Sequence, residues 1–254
     1  MVPMTIGVVG KGGVGKTTFT GLIARAYVQR GARVVAIDTD SNPNLGLSLG
    51  LSMAETEAIP VLPRSVLFGD GGTTTADELL QEYGRPTPAG PTLVSAIKVA
   101  EAGAGCTCGG HATVRGMLHD ALAGVDVTLV DMEAGLEHLS RSGGTLAYAD
   151  VLLVVCEPTR KSVLTARRTA LLATELGIGA VLAVGNKARS AADLGFFEAA
   201  FAQASLAVAG VVPFYPELEE ADRADLVTLI DIPTAVQASV DAIIGSVDSL
   251  LQAV

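Results

Sequence analysis

Short apolar runs alternate with longer amphipathic stretches along most of the chain. Residues 4–10 (MTIGVVG), 33–38 (RVVAID), 125–131 (VDVTLVD), 150–158 (DVLLVVCEP), 180–186 (AVLAVGN) and 208–214 (VAGVVPF) are almost wholly apolar and bounded by turn formers. Runs of this length without polar alternation predict strands buried on both faces, as in a parallel sheet. Helical spacing occupies residues 16–30, where Leu22, Ile23, Ala26 and Tyr27 share a face. It returns near residues 111–123, 162–177 and 191–207, and in the last segment, IPTAVQASVDAIIGSVDSLLQAV. Strands alternating with helices predict an α/β protein with a mostly parallel central sheet flanked by helices. Residues 40–110 depart from the pattern, with Gly, Pro and Thr clusters in GDGGTTT and GRPTPAGP. These read as insertions on the ligand side of the sheet within one domain spanning residues 1–254, not as a linker.

Composition narrows the function classes. At 254 residues and 49 % hydrophobic, the chain supports one large core and is not a disordered polymer. Lys plus Arg is 17 against 27 Asp plus Glu, a formal charge of −10. A protein that grips nucleic acid by its phosphates shows the opposite balance, so no nucleic-acid partner is expected. Aromatics are 4 % with no Trp, too few for base-stacking platforms. No apolar run reaches membrane-spanning length. The N-terminus lacks the basic flank of a signal peptide, and the last helical segment carries Asp but no Lys or Arg to hold a membrane surface. A cytoplasmic location without membrane partners is the expectation. Glycine, at 29 residues, is in excess.

Part of that excess sits in GKGGVGKTT, residues 10–18. It matches the phosphate-loop pattern G-x-x-x-x-G-K-[ST] through Gly10, Gly15, Lys16 and Thr17, between a strand and a helix as the motif requires. Its glycines let the backbone N–H groups of Gly12, Gly13, Val14, Gly15, Lys16, Thr17 and Thr18 converge on phosphate oxygens, aided by the positive end of the following helix. Lys16 reaches the β- and γ-phosphates and the Thr17 hydroxyl ligates Mg²⁺. The expected cofactor is therefore a nucleoside tri- or diphosphate with Mg²⁺, in a three-layer P-loop NTPase fold; the base signal given below makes it ATP or ADP. Asp131, ending an apolar strand downstream of this loop, reads as the second Mg²⁺-holding residue. Asp38 and Asp40 end another strand at the edge where open parallel sheets bind ligands. Asp38 either assists near the metal or caps a turn.

The early lysine in K-G-G-V-G-K-T-T resembles the deviant phosphate loop of the superfamily that includes the nitrogenase iron protein, MinD, ParA and the arsenical-pump ATPase. The resemblance implies that Lys11 reaches across a nucleotide-sandwich homodimer to the partner's phosphates. A second cation there neutralises charge developing in the transition state. It also implies that Asp40 is the switch I aspartate acting on the attacking water. M-E-A-G at 132–135 resembles switch II, in which Gly135 presents its N–H to the γ-phosphate. Asn186 stands where this superfamily recognises the base. The Asp of a guanine-specific N-K-x-D motif is replaced by Arg189, which favours ATP. Pro213 and Phe214 are expected to wall the base pocket.

Cysteine usage separates members of such a superfamily. Cys156 lies in a strand-like run and reads as a small core residue. Cys106 and Cys108 sit two apart in the Gly-bounded loop GAGCTCGGH, within residues 100–112, just before a helical pattern. Two thiolates are half of an S₄ site that a two-fold homodimer completes; tetrahedral geometry suits Zn²⁺ and square-planar geometry Ni²⁺. His111 either joins them or hydrogen-bonds at the helix start. The stretches CTCGGHATVRGML, DMEAGLEHLSR and ADVLLVVCEPTRKSVLTARRT resemble the CooC-type nickel-insertion accessory ATPases of carbon monoxide dehydrogenase. The resemblance implies a Ni²⁺ or Zn²⁺ ion bridging two subunits at Cys106 and Cys108. It also implies ATP hydrolysis coupled to nickel insertion into a client metalloenzyme of the carbon monoxide dehydrogenase type. A MinD/ParA-like positioning or partition ATPase shares every nucleotide residue and is the alternative. Against it stand the −10 charge and the cysteine pair.

Overall fold

A computed structural model describes residues 3–62, 76–96, 122, 124–134, 146–223 and 232–252. In chain order the elements among these residues are β1 Met4–Gly10, α1 Lys16–Gln29, β2 Val34–Asp38, α2 Leu45–Ser48, α3 Met53–Glu57, α4 Ala76–Tyr83, β3 Arg85–Pro86 and β4 Thr92–Ser95. There follow β5 Val127–Asp131, β6 Val151–Cys156, α5 Arg160–Glu175, β7 Ala180–Ala188, α6 Ala191–Gln203, β8 Val208–Pro213, α7 Pro216–Arg223 and α8 Thr234–Gln252. The strands form one sheet in the order β3-β4-β2-β5-β1-β6-β7-β8. Every neighbouring pair is parallel except β3 with β4. The chain moves from β1 outward to β2 on one side, then passes β1 to continue through β6 on the other. β1 is therefore the switch point where an open parallel sheet leaves a crevice at its carboxyl edge.

Alternate side chains of each strand feed opposite layers. Ile6, Val8, Val151, Leu153 and Val155 pack with α1 and α8, the latter burying Val236, Val240, Ile243, Ile244 and Val247. Val9, Leu152, Val154 and Cys156 pack with α4, α5 and α6. Cys156 is fully buried, and burial pushes its thiol up to about 12, as suits a core residue. α8 is also clasped to α1 by polar contacts. The Tyr27 hydroxyl donates to Asp248 at 3.4 Å, and Arg30 bridges Asp241 at 3.2 Å and Asp248 at 3.3 Å.

The six strands expected from apolar runs are all present. Residues 40–110 differ from expectation, because this stretch is not only insertion: β4 is a parallel strand of the main sheet, paired in register with β2 from Val35↔Thr92 to Asp38↔Ser95. Four residues behind a Pro/Gly cluster carry too little periodicity to announce a strand, and the pairing that makes one is long-range. α5 begins two residues earlier than the spacing suggests, because the Thr159 hydroxyl accepts from the Ser162 N–H at 3.3 Å and caps it. α6 ends at Gln203, not 207, and β8 follows at Val208. The helical pattern at 111–123 lies almost wholly outside the described residues.

Candidate active site

The loop from β1 to α1 sits at the crevice. Gly15 caps α1 in the left-handed region, with φ 89°. A Cβ there would stand 2.6 Å from Asn186 Nδ2, so this position needs glycine on both conformational and steric grounds. Asn186 and Lys187 come from β7 on the other side. The β7–β8 register shifts between Gly185 and Ala188, and Lys187 takes a positive φ of 60°. Such an irregularity re-aims side chains beside a functional site. Here Asn186 Nδ2 donates to Val14 O at 2.8 Å and Lys187 Nζ donates to Gly13 O at 3.0 Å. The phosphate loop is thus pinned from β7. Because a carbonyl only accepts, the amide of Asn186 is fixed in one orientation and its Oδ1 is the acceptor left to offer a ligand.

Lys16 is buried, 8 % exposed. Burial lowers its pKa, and the charges of Asp131, Asp40 and Glu133 act against that shift. Asp38 and Asp131 are register partners on β2 and β5, so their carboxyls leave the same face of the sheet side by side. Burial is the main cause that raises Asp131 to about 7 and Asp38 to about 6. The Asp38 charge adds to the rise at Asp131, while hydroxyls of Thr17 and Thr20 donate to the Asp131 carboxylate and oppose it. A hydroxyl and a carboxylate converging beside a buried, electron-rich pair form a hard oxygen donor set that fits Mg²⁺. Thr17 and Asp131 are the residues that would hold it.

Asp38 resolves toward the turn. One oxygen accepts from Asp40 N–H at 3.0 Å and the other from Leu45 N–H at 2.9 Å, so it fixes the loop that carries Asp40. Asp40 itself accepts from Asn42 N–H at 2.9 Å and is partly exposed beside Lys16. The Ser41 hydroxyl donates to Glu133 at 3.0 Å, tying this loop to the segment after Asp131. Lys11 lies at the mouth, where its ammonium is 3.6 Å from the Glu157 carboxylate.

A cavity of about 400 Å³ opens beside the loop, and Thr18, Asn186, Pro213 and Phe214 all line it. Tyr215 and Glu219 line it too, residues that no sequence motif singled out. Arg189 stacks its guanidinium 3.4 Å from the Phe214 ring centroid. The sequence places Glu133 only within the switch II stretch and gives Glu157 and Lys187 no role. The N-K dipeptide at a strand end was the available signal for Lys187, whereas Glu157 is near Lys11 only in space. Gly135, Cys106, Cys108 and His111 lie outside the described residues. Among the described residues no group of three or more His, Cys, Asp or Glu side chains is arranged to hold a metal ion. Nor, among them, is any helix long and apolar enough to cross a membrane.

Residues 6–251 match the model of the CobQ/CobB/MinD/ParA nucleotide binding domain. The chain belongs to that family, and it is an ATPase of the P-loop class. Within the family it is similar to the carbon monoxide dehydrogenase accessory protein CooC of Rhodospirillum rubrum, 36 % identical over 88 % of each chain. It is also similar to an ATP-binding protein of Methanocaldococcus jannaschii, 33 % identical over 85 % of this chain and 87 % of that one. The fold matches that of the septum site-determining protein MinD of Pyrococcus horikoshii, solved with Mg-ADP. That match has a TM-score of 0.75 over 98 % of both chains at 20 % identity. A ParA family ATPase of Chlorobium tepidum superposes with a TM-score of 0.73, covering 97 % of this chain and 98 % of that one, at 17 % identity.

Proposed function

We propose that the protein is a cytoplasmic metallochaperone. In this reading it hydrolyses Mg-ATP within a nucleotide-closed homodimer and couples that cycle to nickel insertion into a carbon monoxide dehydrogenase-type enzyme. The observation that carries the reading is the similarity to CooC over 88 % of both chains, joined to the Cys106–Thr107–Cys108 pair in a chain of net charge −10.

The described geometry supports specific roles. In this reading the phosphate loop and Lys16 bind and orient the triphosphate, and Asp40 holds the attacking water. When bound, Mg²⁺ supplies charge neutralisation between the phosphates, held by Thr17 and Asp131. The fixed Asn186 Oδ1 suits the 6-amino group of adenine and repels the 6-oxo group of guanine, with Pro213 and Phe214 walling the base. In this reading Lys11, at the exposed mouth of the site, leaves Glu157 and neutralises phosphate charge across the dimer. Gly135 would sense the γ-phosphate through its N–H. Cys106 and Cys108 of two subunits would share one Ni²⁺ or Zn²⁺ ion as cargo, held while ATP closes the dimer and released after hydrolysis.

Equilibrium dialysis against Ni²⁺ and Zn²⁺, with and without ATP, tests this reading. The expected result is one metal per two chains, lost in the Cys106→Ala/Cys108→Ala double variant while ATP binding persists. Equal metal binding by that variant would overturn the metal assignment. ATP-dependent sedimentation with liposomes or DNA would instead favour a MinD/ParA-like positioning role, the reading that the fold likeness supports.

A further inference from the structure

α5 and α6 form an outer layer over β6 and β7, away from α1 and α8. Between them lies a groove of about 590 Å³ with Val163 at its base. Arg160, Leu164 and Arg167 stand on one side, Phe196 and Gln203 on the other. Leu164 is 47 % exposed, and Leu171, two turns on, is 58 % exposed. Arg160, Leu164, Arg167 and Leu171 follow helical i, i+4, i+7, i+11 spacing, so one stripe alternates cation and apolar side chain.

α6 adds a second anomaly. Asp193 and Glu198 are its only charged residues, and Phe197 and Phe201 its only buried ones. A helix apolar on nearly all sides normally lies inside a protein. The charge balance is local as well. Residues 158–174 contain Arg160, Lys161, Arg167 and Arg168 and no Asp or Glu, in a chain of net charge −10. Among the described residues none of these four cations is ion-paired with a carboxylate.

We propose that the α5/α6 groove docks an acidic amphipathic helix of a partner polypeptide. Its apolar side covers Leu164 and Phe196, and its carboxylates meet Arg160 and Arg167. The apolar base favours this occupant over nucleic acid, which gains nothing from covered leucine and phenylalanine. The concave shape and the −10 charge of the whole chain oppose an anionic bilayer. The site is separate from the nucleotide crevice and needs none of its residues.

The test uses the full chain and a fluorescein-labelled peptide of about 18 residues, five helical turns, with Leu at every third and fourth position and Glu elsewhere. Fluorescence anisotropy should show saturable binding, and amide exchange should slow at residues 160–171 and 196–203. Leu164→Asp should weaken binding about tenfold or more, as expected for a central apolar anchor. The Arg160→Glu/Arg167→Glu pair should move preference to a peptide with Lys in place of Glu. Both variants should keep the wild-type circular dichroism and ATP hydrolysis, since these side chains are exposed and outside the nucleotide site. The proposal is overturned if a peptide of equal composition but no apolar face binds as well, or if Leu164→Asp changes nothing. Failure of the acidic peptide to bind, or slowed exchange on α5 with duplex DNA or anionic vesicles in its place, would overturn it too.

Discussion

Glu157→Gln isolates the contact that holds Lys11 within its own subunit. The ammonium and carboxylate are 3.6 Å apart, a separation worth about 1 kcal/mol of Coulomb attraction in a water-like dielectric. Both side chains are partly exposed, 41 % and 27 %, so solvent screening and side-chain ordering reduce the net value to about 0.5–1 kcal/mol. Glutamine keeps an acceptor for the Thr159 hydroxyl, which reaches Glu157 at 3.3 Å, so the start of α5 is preserved. If Lys11 must leave Glu157 to reach phosphate in a closed dimer, that contact opposes closure. Both subunits of a symmetric dimer lose the contact, so removing it should tighten ATP-dependent dimerisation about 5–30-fold, the factor that about 1–2 kcal/mol corresponds to. Sedimentation velocity over a concentration series, with a non-hydrolysable ATP analogue, measures it directly. The gain should shrink between about 0.05 M and about 0.5 M salt, as an exposed pair requires. It should vanish in a Lys11→Ala background. An unchanged or weaker dimer, or an equal gain without Lys11, would refute the reasoning.

Three further outcomes follow from the site. Gly15→Ala places a Cβ 2.6 Å from Asn186 Nδ2 at φ 89°; it should lower the melting temperature by about 5–10 °C, a loss of roughly 2–3 kcal/mol in a chain of this size. It should also abolish binding of a fluorescent ATP analogue. Asn186→Asp removes the donor to Val14 O and sets a carboxylate against that carbonyl; ATP affinity by calorimetry should fall about tenfold or more. The third concerns pH, in protein freed of nucleotide and metal. Asp131 at about 7 and Asp38 at about 6 both lie above the unfolded aspartate value. Between pH 8 and pH 6 the native state therefore takes up protons that the unfolded state does not, and stability rises as pH falls. Urea denaturation in EDTA should show a gain of about 1–2 kcal/mol over that interval, one pKa unit being worth 1.36 kcal/mol. Asp131→Asn should flatten the slope; a rise in stability toward pH 8 in the wild type would contradict it.

Local pattern alone determined much of this protein. The six long apolar strands, the helices around them and the phosphate loop are each written in a few consecutive residues. Hydrophobic period and glycine placement act over that range, so β1, α1 and GKGGVGKTT are readable without a partner. The same holds for Asp131, whose position at a strand end marks it, and for Cys156, whose apolar neighbours mark it as core; Asp40, two residues past β2, was marked by resemblance. The Cys106–Cys108 pair is also conspicuous in sequence, though what it holds rests on chemistry and resemblance.

Only the tertiary structure decided the contacts between distant segments. β4 exists as a strand because β2 pairs with it, not because TLVS insists on one. That Asp38 pins its own loop became visible only once the Asp40 and Leu45 amides were seen on its two oxygens. Asn186 and Lys187 reach the phosphate loop across more than 170 residues of chain, through a register shift that no periodicity encodes. Glu157 meets Lys11, and α5 lies beside α6, for the same reason. Local sequence sets which backbone states each segment prefers, whereas charge pairing, groove shape and burial depend on which segments the folded sheet brings within a few ångströms of each other.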